Sequence, residues 1–96
     1  MDELPEALGN LRQAAHQLLR TPDPTGHALA NAAHILDIEN LLEEFGEPAF
    51  VPGSHSAADS LRIAGWLLGR NAHMVPSEVW PALHRLLAQV GDHGQR

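Results

Sequence analysis

The chain has 96 residues, 44% of them hydrophobic, and carries twelve acidic against six basic side chains, a formal charge of −6, with no cysteine. That length supports one core rather than two and that composition excludes a disordered chain, yet a domain so small buries only about 60–65% of its unfolded surface and gains from a partner. All six basic residues are Arg, standing singly at Arg12, Arg20, Arg62, Arg70, Arg85 and Arg96, which argues against nucleic acid, and the missing cysteine excludes disulfides and thiolate chemistry.

Met1 to Glu6 is acidic where a secretory signal would be basic and then apolar. No apolar run approaches the ~18–20 residues of a membrane span, so a soluble, cytoplasmic protein without membrane contact is expected.

In the first segment Leu4, Leu8, Leu11, Ala15, Leu18 and Leu19 recur at helical spacing, with Asp2 as a cap, Pro5 in the first turn and Thr21-Pro22-Asp23-Pro24 as a stop. The spacing predicts a helix over 3–20. Asp23-Pro24 then has the form of an N-cap and first helical residue, and Gly46 and Pro48 of a terminator, which predicts a second helix over 24–45. Glu43 and Glu44 would fall in its last turn, where the helix dipole disfavours anions and an Arg from elsewhere would help.

Residues 47–55 are rich in Pro and Gly around Phe50 and Val51, and are expected to form an ordered loop pinned to the core by the aromatic. Ser56 to Asp59 matches a variant capping box, and Leu61, Ala64, Gly65, Leu68 and Ala72 mark the buried side of a helix over 57–71. Ser77 caps a last helix over 78–90 with Val79, Leu83, Leu86 and Val90 inward, Pro81 near its start and Gly91 as its end. The fold expected is therefore all-α, a compact bundle of about four helices in one domain over 1–91, with a frayed tail at 92–96.

Seven histidines are the most conspicuous feature of the composition, but none pairs at the three- or four-residue spacing that lets one helix hold one ion. His27 and His34 lie seven apart, roughly 10.5 Å of rise, so no metal site or cofactor is expected. With all seven protonated the formal charge would move from −6 to +1, which predicts association or solubility that changes between about pH 7 and pH 5.

His27, Asn31 and His34 form a polar half-stripe that Ile38, Leu42 and Phe45 continue as apolar, which suggests that helix 2 projects past its neighbours, while Leu29, Ala32, Ala33 and Leu36 give it a second apolar side. Helix 3 likewise has Ile63, Trp66 and Leu67 beside its core face with Arg70 at the end. Trp with a nearby Arg is the composition of an interface hot spot, and a central helix packed on both sides has the same pattern. Gly65 and Gly69 signal at most a close helix approach.

Asp59-Ser60-Leu61 resembles the tripeptide at which acyl and peptidyl carrier domains bear phosphopantetheine. The resemblance covers three residues, and with Ser56 as the cap Ser60 lies a full turn inside the helix, so no family role is carried over. No nucleophile, base and orienting group fall together, and no phosphate loop or paired-carboxylate motif is present, so no enzyme is expected. The leading reading is a non-enzymatic interaction or regulatory module that binds a protein partner or itself, with Ile63, Trp66, Leu67, Arg70, His27, Asn31 and His34 as candidate contact residues. A small-molecule or metal carrier using the His/Asn stripe of helix 2 stands second, and a DNA-binding regulator third.

Overall fold

The described residues form four α-helices, α1 Leu4–Arg20, α2 His27–Leu41, α3 Ala57–Arg70 and α4 Val79–Gly94, with short 3-10 turns at Glu43–Phe45 and Ala72–Met74. The computed structural model describes residues 3–20, 26–51 and 56–94, and among these there is no strand. The main packing contacts run α1 to α2, α2 to α4, α4 to α3 and α3 back to α1, so the helices close a ring around one core. The all-α bundle expected from the periodicity is the fold observed.

Each helix owes its boundaries to local chemistry. α1 has Pro5 in its first turn, where the missing N–H costs nothing, and the Ala7 N–H donates to the Glu3 carbonyl at 3.0 Å. The Ser56 hydroxyl accepts from the Asp59 N–H at 3.2 Å, so the predicted cap of α3 is present. Asp59 itself turns to Arg62, one turn on, at 2.8 Å.

α2 starts later than predicted. Gly26 sits at φ 80°, ψ 0°, a left-handed conformation suited to glycine that interrupts any helical path from residue 24, so the helix begins at His27. The Asp23 cap proposed for it lies outside the described residues. At the other end α2 stops at Leu41, and Glu43 to Phe45 tighten into a 3-10 turn closed by Gly46 at φ 108°. The arginine expected near Glu43 and Glu44 instead reaches Glu39, with Arg12 Nη2 at 3.8 Å from its Oε2.

α4 begins at Val79, the turn before it held by Val79 and Trp80 N–H groups donating to the carbonyls of Pro76 and Ser77. It runs through Gly91 to Gly94 rather than stopping at residue 90, so the frayed tail expected from 92 is helical as far as Gly94. Glycine permits a helix end but does not impose one unless it turns left-handed.

The core takes Leu4, Leu8 and Leu11 from α1, Ile35, Ile38 and Leu42 from the α2 segment, Leu61, Leu67 and Leu68 from α3, and Val79, Leu83, Leu86 and Val90 from α4. The predicted inward positions of α4 all lie there. Leu19, assigned to the α1 stripe, is instead exposed, and Ala72 sits exposed in the second 3-10 turn.

The loop after α2 is held differently from expectation. Phe50 does not pin it, being 92% exposed. Main-chain contact does: the Ala49 N–H donates to the Pro5 carbonyl at 2.8 Å. Gly9 makes this seat possible, because a Cβ there would collide with the Ala49 carbonyl oxygen and lie 3.2 Å from Val51 Cγ1.

Candidate functional site

The buried side of α2 holds Asn31, Ala32, Ile35, Ile38 and Leu42, yet its opposite side is apolar as well. Leu29, Ala33 and Leu36 recur at four and three residues, one stripe of the helix, and Leu29 and Leu36 are 66% and 51% exposed. A helix apolar on both sides with one side in solvent has no packing reason for the second face within its own fold. Charge is missing there too, since His27 to Leu36 contains no Asp, Glu or Arg.

Leu19, on the helix α1 that packs against α2, is a further exposed leucine, at 54%.

The proposed polar stripe of α2 does not survive folding as a unit. Asn31 is buried at 5% exposure, while His27 and His34 are exposed, so the three do not share one surface. The 3.6-residue period explains this: Asn31 falls within the arc of Ile35, Ile38 and Leu42, and the two histidines, four residues before it and three after, fall to one side at the margin of that arc. No group of three or more His, Asp or Glu that could hold a metal exists among the described residues.

The α3 cluster is divided as well. Leu67 is in the core and Ile63 packs against it, whereas Trp66 and Arg70 face solvent. The Arg70 guanidinium lies 4.8 Å from the Trp66 ring centre, and its Nε donates to Glu3 Oε1 at 3.1 Å, so an exposed aromatic carries a cation already held by an acid. α3 thus packs on α1 and α4, and only the side that carries Trp66 and Arg70 stays in solvent. Gly65 meets only ordinary contacts from Leu83 and Leu87 of α4, and Gly69 meets nothing within 4 Å, so the glycine pair marks no tight helix crossing.

Ser60, in the carrier-like tripeptide, is fully buried and its Oγ has no hydrogen-bond partner. A buried hydroxyl cannot present a prosthetic arm, which agrees with leaving the family role aside.

A groove that sequence reasoning missed runs between α1 and the loop after α2. It encloses about 320 Å³ and is lined by Gly9, Arg12, Gln13 and His16 on one side and Pro48 to Val51 on the other. A smaller recess of about 140 Å³, which includes Glu39 and Glu43, lies on the other side of Arg12. Glu39 has only 10% of its side chain exposed and its Oε1 has no partner; burial raises its carboxyl above the usual 4.5, opposed by Arg12 and His16. The groove was invisible in the sequence because its walls are forty residues apart; the only hint was Gly9 inside an otherwise regular helix.

No helix among the described residues is long and apolar enough to cross a membrane. Comparison with protein-family models, with curated proteins and with solved structures found no match to this chain.

Proposed function

We propose that the protein is a non-enzymatic interaction module that self-associates through the outer face of α2. The observation that carries this reading is the exposure of Leu29 and Leu36, two turns apart on a charge-free stretch of a helix that already buries its other side.

A second copy fits this face better than a basic partner. Each copy carries a formal −6, so copies repel wherever acids meet, and a stripe without charge is where two can touch. An antiparallel α2 pair sets Leu29 of each against Leu36 of the other, with the small Ala33 allowing close approach, and such a two-fold contact is self-complementary. Four partly exposed leucines around the axis give a weak dimer, with dissociation constants of roughly tens to hundreds of micromolar.

Sedimentation equilibrium from about ten micromolar to one millimolar tests this. Mass should rise toward twice the monomer, and Leu36→Asp should hold it at the monomer with little change in melting temperature, because Leu36 lies outside the core cluster. A parent that stays monomeric throughout the range refutes the reading. The exposed Trp66 with Arg70 stacked on it supports a second docking face on α3, and if Trp66→Asp rather than Leu36→Asp abolishes association, the interface belongs there.

A further inference from the structure

We propose that the groove between α1 and residues 46–51 binds a small organic carboxylate with an aromatic body, the carboxylate meeting Arg12, Gln13 and His16 and the ring lying against Phe50 and Pro48. This site is separate from the α2 face and does not depend on self-association.

Charge makes the first argument. In a chain of formal charge −6, the described residues lining the groove include no acid, while Arg12, Gln13 and His16 all present N–H donors. His16 lies four residues from Arg12 and three from Gln13 on α1, so its imidazole is the helical neighbour of both side chains on the wall that all three line. Arg12 is half exposed, and its pairing with Glu39 at 3.8 Å is longer than a hydrogen bond, which leaves a guanidinium with five donors able to take a second carboxylate.

The opposite wall supplies the apolar half. Phe50 is 92% exposed, yet its backbone is held beside α1 by the neighbouring Ala49 hydrogen bond to Pro5 and by the close approach over Gly9. An aromatic side chain carried on a fixed backbone and contributing nothing to the core is a stacking surface for something outside the chain. The groove volume of about 320 Å³ lies at the lower end of the range for small-molecule sites, roughly 300–1,000 Å³, which suits one ring and a short acid. A metal is disfavoured because the groove offers one imidazole and no acid, and a phosphate because a lone Arg beside an aromatic wall matches a carboxylate with an apolar body better.

The test is a titration of the ¹⁵N-labelled full chain with 3-phenylpropionate, with neutral 3-phenylpropionamide and ring-free propionate as matched controls. Saturable shifts are expected at the amides of Gly9, Gln13, His16 and Ala49 to Val51, with both controls binding roughly tenfold or more weakly. Arg12→Gln should weaken binding by roughly tenfold, and Phe50→Ala by a similar factor with unchanged melting, because Phe50 is outside the core. If Arg12→Gln unfolds, the acid and amide comparison on the parent still decides the role of charge. Shifts that do not saturate at millimolar ligand, that appear on other surfaces, or that are equal for acid and amide overturn the proposal.

Discussion

Gly9→Ala should destabilise the protein even though alanine is the better helix former. In an open helix the exchange would gain about 1 kcal/mol, because glycine has more backbone freedom to lose. Here the new methyl would collide with the Ala49 carbonyl oxygen and press on Val51 Cγ1, and the first of these is main chain that cannot rotate away. The loop must lift. Overpacking of this kind costs roughly 1–3 kcal/mol, and losing the Ala49 to Pro5 hydrogen bond adds about 1 kcal/mol. After the helix gain is offset, the net loss is roughly 1–3 kcal/mol, a fall in melting temperature of about 5–25 °C for a chain of this size. Gly69→Ala is the matched control, since nothing lies within 4 Å of a Cβ there, and it should gain about 0.5–1 kcal/mol. Urea melts followed by circular dichroism give both values, and amide exchange at Ala49 should lose protection in the Gly9 variant alone. A Gly9→Ala protein as stable as Gly69→Ala would show that the loop does not rest on α1, and the groove would go with it.

Glu39 predicts a pH dependence. Burial lifts its folded-state pKa above the ordinary 4.5, so just above that value the folded chain holds more protons than the unfolded one, and stability contributed by this group rises as pH falls from neutral and levels off below it. The parent should therefore gain on Glu39→Gln as pH is lowered in urea melts, and a difference that is flat or reversed refutes the burial argument. Ser60→Ala should stabilise by about 0.5–1 kcal/mol, because it removes a buried hydroxyl without a partner and improves helix propensity. A loss of that size instead would mean the hydroxyl is bonded. The same burial predicts that a phosphopantetheinyl transferase leaves the mass of the native protein unchanged.

Where the chain turns inward was legible from local chemistry. Leu4, Leu8, Leu11 and Ala15 on α1, and Val79, Leu83, Leu86 and Val90 on α4, recur at the helical period because one face of each helix must leave water, and all are buried. The Ser56 cap was legible because a cap is a contact between residues three apart. What only tertiary structure decided is which of two apolar faces each middle helix buries. α2 is apolar on both sides, so its period could not choose between the Leu29 to Leu36 face and the Ile35 to Leu42 face, and packing against α1 and α4 put the second inside together with Asn31. α3 could likewise have hidden Trp66, but the ring closed by α1 and α4 left that side in solvent with Arg70 over the indole. The groove depends on the same kind of decision, since Arg12 and Phe50 share no local pattern and meet only because Gly9 lets a distant loop lie on α1. Periodicity is written within a few turns of chain, whereas the choice of neighbour is made between segments tens of residues apart, and no local rule carries that information.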